Sequence, residues 1–76
     1  MTLKDLKVGQ CCTVEKVAAQ GILKRRFFEM GITPGTEIYL RKVAPLGDPI
    51  QISLRGYELS IRKAEAENII IKNIED

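Results

Sequence analysis

Two runs of period-two hydrophobicity are joined by a segment that cannot take part in strand pairing, Ala44-Pro45-Leu46-Gly47-Asp48-Pro49-Ile50, and this arrangement constrains the chain more than anything else in it. Pro45 and Pro49 have no backbone N–H to donate, Pro49 pushes Asp48 toward an extended conformation, and Gly47 can adopt positive φ without a Cβ penalty. Before the segment, Ile38 and Leu40 alternate with Glu37, Tyr39 and Arg41; after it, Ile50, Ile52 and Leu54 alternate with Gln51, Ser53 and Arg55. The pattern predicts a hairpin over 36 to 54 with a stiff, exposed tip.

A second hairpin shares the strand that ends at Leu54. Arg55-Gly56 supplies the tight reversal, and Tyr57, Leu59 and Ile61 alternate with Glu58, Ser60 and Arg62. Upstream, Thr2 can cap one helical turn carrying Leu3 and Leu6, closed by Gly9. Cys12, Val14 and Val17 read as a first strand whose broken alternation implies a bulge. Gly21 opens the one extended helix, with Ile22, Leu23, Phe27 and Met30 as its apolar stripe and Lys24, Arg25, Arg26 and Glu29 on the opposite side. Gly31 suits the left-handed position that ends a helix, and Pro34-Gly35 fits the centre of a type II turn. Lys63 to Asn68 forms one turn before a last strand, Ile69-Ile70-Ile71. Five short strands and one helix bury their apolar sides best as a small barrel, with the helix between the first two strands plugging or flanking one side.

Seventy-six residues suffice for one domain, 1–76, and leave no room for a deep substrate cleft. Twelve basic and ten acidic residues are interspersed, giving a net charge of +2, which lacks the basic excess of a protein that tracks nucleic-acid phosphates. Small barrels also bind single strands through stacked aromatics. Here only Phe28 and Tyr39 are expected at the surface, since Phe27 lies on the core stripe and Tyr57 sits with Leu59 and Ile61; nucleic-acid binding is not expected. No apolar run approaches the roughly 18 residues of a membrane span, and the N-terminal segment shows no signal-peptide core. A cytoplasmic location follows as the expectation, with any contact to a membrane made indirectly through a partner.

The chain has no histidine, no nucleophile beside a recognisable base and no phosphate-cradling glycine loop, so it is not expected to be an enzyme or to carry a cofactor. Cys11 and Cys12 are adjacent and point to opposite faces of a strand; they are expected to be one packed and one half-exposed thiol. Glu65 and Glu67, without histidine nearby, read as surface charge, and no metal ligand set is assigned.

The order of landmarks matches a known family. Arg25-Arg26 on a helix, Met30-Gly31-Ile32-Thr33-Pro34-Gly35-Thr36, the Ala44 to Ile50 tip, Arg55-Gly56-Tyr57-Glu58-Leu59 and the isoleucine strand together resemble FeoA, the small cytosolic protein of bacterial ferrous iron transport. The likeness runs from Leu3 to Lys72. It implies an SH3-like β-barrel acting with FeoB, a membrane iron transporter with a cytosolic GTPase domain. Phe27 stands where the family often has leucine, and the cysteine pair lies outside the family pattern.

On that basis the expected function is a non-enzymatic accessory protein of ferrous iron uptake that docks on FeoB and regulates it. Leu46, Gly47, Asp48 and Pro49, with Arg25, Arg26 and Arg55, are the expected partner-binding residues, and Gly31, Pro34, Gly35 and Gly56 shape the turns. One further version has an arginine among these acting in trans on the GTPase. The alternative is a metal-binding or metal-sensing domain related to the C-terminal barrel of iron-dependent repressors. Weak self-association could arise from an uncovered barrel edge or from Ile69 to Ile71.

Overall fold

Alternation along the chain is converted directly into strands in the computed structural model, which describes all residues from Met1 to Asp76. β1 covers Cys11–Val17, β2 Glu37–Val43, β3 Ile50–Leu54, β4 Tyr57–Ile61 and β5 Ile69–Glu75. α1 covers Gly21–Glu29 between β1 and β2, and a single turn, α2, covers Lys63–Ala66 before β5. A 3-10 turn, Leu3–Asp5, precedes β1; the Asp5 carboxylate accepts the Thr2 backbone N–H at 3.0 Å. No helix is long and apolar enough to cross a membrane.

All five strands lie in one antiparallel sheet in the order β4-β3-β2-β1-β5. A register shift between Val14 and Lys16, against β5, realises the expected bulge in β1, and a second, unanticipated shift lies between Cys11 and Thr13. The sheet curls around one core in which Leu3, Cys12, Val14, Phe27, Ile32, Ile38, Leu40, Ile52 and Ile69 are essentially inaccessible. This is an SH3-like barrel, flanked by α1 through the fully buried Phe27 ring.

The loop residues take the predicted forms. Gly31 has φ +89°, its N–H donates to the Phe28 carbonyl at 3.0 Å and the Ile32 N–H donates to the Phe27 carbonyl at 2.9 Å, the paired bonds of a Schellman ending. Gly35 has φ +92°, and the Thr36 N–H closes its turn on the Thr33 carbonyl at 3.0 Å.

Three expectations need correction. Ile22 is 77% exposed instead of lying on the buried stripe. At about 100° per residue it sits about 100° from Leu23 and about 140° from Phe27, outside the arc that faces the sheet. Tyr57 is also exposed, because β4 is an edge strand and its first residue stands at the barrel rim, whereas Leu59 is half-buried and Ile61 buried. Finally, Ile69 and Ile71 point into the core, so the isoleucine run offers no apolar patch for self-association.

Candidate docking surface

The β2–β3 tip is held by its own backbone and by one distant contact. The Gly47 N–H donates to the Ala44 carbonyl at 2.7 Å and the Ala44 N–H donates to the Pro49 carbonyl at 3.0 Å, with Gly47 at φ +94°. Asp48 Oδ1 accepts the Lys63 N–H at 2.9 Å, one of the orphan donors at the start of α2. Asp48 stays exposed, but its carboxylate turns back onto the molecule and fixes the tip. Leu46 does the opposite: its side chain is 97% exposed, on a loop whose backbone is already ordered.

Arg25 and Arg26 lie side by side on the exposed part of α1. Arg26 Nη2 approaches Glu65 Oε2 at 3.6 Å and shares a shallow groove with Pro49, Ser60 and Arg62, so the tip and the helix are brought to one side of the molecule. Arg25 makes no ion pair. It lines a separate strip of α1 with Phe28, over whose ring Lys24 Nζ lies 5.7 Å from the centroid.

Arg55 stands apart from this group. It occupies positive φ, +47°, in a turn completed by Gly56 at +85°, a pairing that matches the type I′ geometry of two-residue hairpins. Its Nε donates to the Gly31 carbonyl at 3.0 Å, and its Nη2 donates to the hydroxyls of Thr33 at 3.1 Å and Thr36 at 3.0 Å. The buried Thr36 hydroxyl donates in turn to the Gly31 carbonyl at 3.0 Å, and Tyr57 donates its hydroxyl to the Met30 carbonyl. Two residues of the β3–β4 hairpin thus bind the carbonyls that the end of α1 leaves without helical partners, and the guanidinium charge lies where the helix dipole favours a cation. Sequence inspection missed this network, since its members lie 19 to 27 residues apart.

The remaining polar groups carry little chemistry. Glu65 Oε1 accepts the Arg62 N–H at 3.1 Å, and Glu67 is paired with Lys4 at 2.8 Å. The hydrogen bond and charge of Glu67 hold the Lys4 ammonium above its usual pKa. Cys11 is half-buried and Cys12 buried, as expected of the pair; burial, and to a lesser extent Cys11, pushes the Cys12 thiol up to about 11. No three histidine, cysteine, aspartate or glutamate side chains converge to hold a metal. Phe28 and Tyr39 are both partly exposed, on different elements.

A curled five-stranded sheet with one flanking helix and an ordered, exposed apolar tip defines a small SH3-like barrel module. The FeoA domain matches residues 1–73, and the chain belongs to the FeoA family. It is 31% identical over 74 residues to an Fe(2+) transport protein A/Fe(2+) transporter FeoB fusion protein of Porphyromonas gingivalis, an alignment that takes in 97% of this chain and only 9% of that protein. The solution structure of a FeoA-like protein from Clostridium acetobutylicum is similar over 95% of this chain and 84% of its own, with 39% identity and a TM-score of 0.88. The FeoA of Stenotrophomonas maltophilia, crystallised with zinc and described as a prokaryotic SH3 domain protein and candidate ferrous iron transport activating factor, matches at 26% identity and a TM-score of 0.87 over 99% of this chain and 95% of that one. A manganese-dependent transcriptional repressor shares the fold alone, at 17% identity and a TM-score of 0.85 over 93% of this chain and 39% of its own.

Proposed function

We propose that this chain is a non-enzymatic, cytoplasmic accessory protein of ferrous iron uptake that docks on the cytosolic GTPase region of a FeoB-type transporter and regulates it. The observation that carries the proposal is the fusion relative, in which a domain aligned with nearly all of this chain is covalently joined to a FeoB transporter. Tethering raises the effective concentration of two modules that act together, and is useless to modules that do not meet.

Leu46 is the anchor. An apolar side chain that is fully solvated on a preordered loop can enter a pocket at little entropic cost, and Gly47, Asp48 and Pro49 supply that order. Arg26, in the groove with Pro49, and Arg25 next to it on α1 supply the charge that sets orientation and association rate. Arg55 contributes through the end of α1, because an arginine lent to a GTPase in trans would first have to leave three internal acceptors.

Titrating the isotopically labelled chain with the soluble GTPase region of the transporter should move the amide signals of residues 44 to 50 and the exposed side of α1. Movement confined to β5 and the N-terminal turn would place the interface elsewhere. Single-turnover GTP hydrolysis at saturating concentrations of the chain separates docking from catalysis in trans: Arg25→Ala/Arg26→Ala should weaken binding and any stimulation together. Loss of rate despite saturation would instead support a lent arginine.

A second reading, metal binding, is favoured by the zinc complex of the Stenotrophomonas relative. A calorimetric titration with Zn²⁺ or Fe²⁺ tests it, and micromolar affinity with defined stoichiometry would establish it for this chain.

A further inference from the structure

The two edges of the sheet are not alike. On β5 the outer edge is engaged at its start, where Thr2 forms a bridge to Ile70 and the Ile71 N–H donates to the Met1 carbonyl at 3.0 Å; further along, Asn73 at φ +55° breaks the line of the strand. On β4 nothing comparable occurs. The two-residue turn at Arg55-Gly56 makes Leu54 and Tyr57 a hydrogen-bonded pair, and the alternation of an antiparallel ladder makes Ile52–Leu59 and Ile50–Ile61 the next ones. The N–H and C=O groups of Glu58 and Ser60 therefore point away from β3. No backbone hydrogen bond outside the strand ladders ends on any of these four groups.

This open edge runs into the groove that Ser60 and Ile61 share with Arg26, Pro49, Arg62 and Glu65. The charge there is unequal. Glu65 is the single acid and both its oxygens are engaged, one by the Arg62 N–H and the other by Arg26. The Arg62 guanidinium makes no ion pair in the chain. Edge strands with open backbone groups are templates for a further strand, and arginines beside them read carboxylates on the added one.

We infer that β4 is a strand-addition site for an extended acidic segment, its backbone pairing with Glu58 and Ser60 and its carboxylates meeting Arg26 and Arg62. A second copy of this chain fits less well, because pairing two β4 strands about Ser60 would bring two Arg26 side chains to the same point. The inference shares Arg26 and the Pro49 side of the groove with the docking proposal, but it seats its occupant on the β4 backbone and not on Leu46, so the two can fail separately.

The probe is a synthetic octapeptide of alternating glutamate and valine, set against its lysine–valine counterpart. The glutamate peptide should shift the Glu58 and Ser60 amides and slow their hydrogen exchange, and should bind at least tenfold more tightly than the lysine peptide. Ser60→Pro deletes an outward N–H that β3 does not use and should reduce binding at least tenfold, whereas Ser60→Val, which keeps the N–H, should bind as the unmodified chain does. Arg26→Glu/Arg62→Glu tests the charge without touching the strand and should reverse the preference between the peptides. Equal affinity for the two peptides, undiminished binding by folded Ser60→Pro, or β4 amides already protected in a dimer of the free chain would each overturn the inference. Run in parallel with the transporter's GTPase region, the same spectra separate the two proposals: shifts at 44 to 50 with β4 silent to both probes would sink strand addition alone. Peptide binding at β4 with no response to the GTPase region would sink the docking proposal alone.

Discussion

The hairpin tip at Ala44 to Pro49 and the hairpin turn at Arg55-Gly56 look equivalent as punctuation between strands, yet the fold uses them in opposite ways. The first keeps its polar residue for internal work, Asp48 on the start of α2, and leaves Leu46 to solvent. The second sends its charged residue back onto the molecule, where Arg55 closes on Gly31, Thr33 and Thr36. Charge, then, is a poor guide to which loop meets a partner. A loop whose polar groups are satisfied internally while a large apolar group is not is the better candidate, since water gains nothing from that group and a partner's pocket does.

The sharpest way to break this contrast is to remove the charged turn residue. Arg55→Ala deprives the Gly31 carbonyl and the buried Thr36 hydroxyl of a charged donor, so unfolding free energy should fall by about 2–3 kcal/mol. Denaturant titration checks this, and a loss under about 0.5 kcal/mol would mean that the turn is as free as the tip.

A comparable loss should come from alkali. Cys12 has its pKa raised to about 11, so the folded state holds the thiol proton more tightly than the unfolded state does. That contribution is complete below the ordinary cysteine pKa and disappears as pH rises through about 11. It amounts to something on the order of 2 kcal/mol. Stability measured across that window should decline in the natural chain and decline less in Cys12→Ala. Alkylation should reach the half-buried Cys11 well before Cys12.

Gly35→Val places a β-branched side chain at φ +92° and should cost about 1–2 kcal/mol by strain alone, since no atom lies within 4 Å of where its Cβ would be. Smallest of all should be Leu46→Ser, with a change in melting behaviour equivalent to less than about 0.5 kcal/mol. A large effect there would mean that the tip packs on the barrel in solution, and the contrast between the two loops would collapse.

Which parts of this were legible beforehand follows from the range of the interactions involved. Strand positions, the Gly31 and Gly35 turns and the projecting Leu46 depend on neighbours within a few residues, so periodicity and turn chemistry expose them. The Ile22 error is also local, and an angular count around the helix would have removed it: Leu23, Phe27 and Met30 share one arc and Ile22 does not. The Arg55 and Tyr57 contacts are different in kind. They join the second hairpin to the end of α1 across 19 to 27 residues, and nothing in residue type or spacing distinguishes them from solvated side chains. The hydrogen bond from the Lys63 N–H to Asp48 was hidden for the same reason.

The central claim, that the ordered tip presents Leu46 to a transporter, is tested most directly by calorimetric titration of the chain and its Leu46→Asp variant into the soluble GTPase region of a FeoB-type protein. Burying an unpaired carboxylate in place of an anchor should cost at least tenfold in affinity while the variant's amide spectrum away from residues 44 to 50 stays unchanged. Equal affinities for the two well-folded proteins would contradict the account.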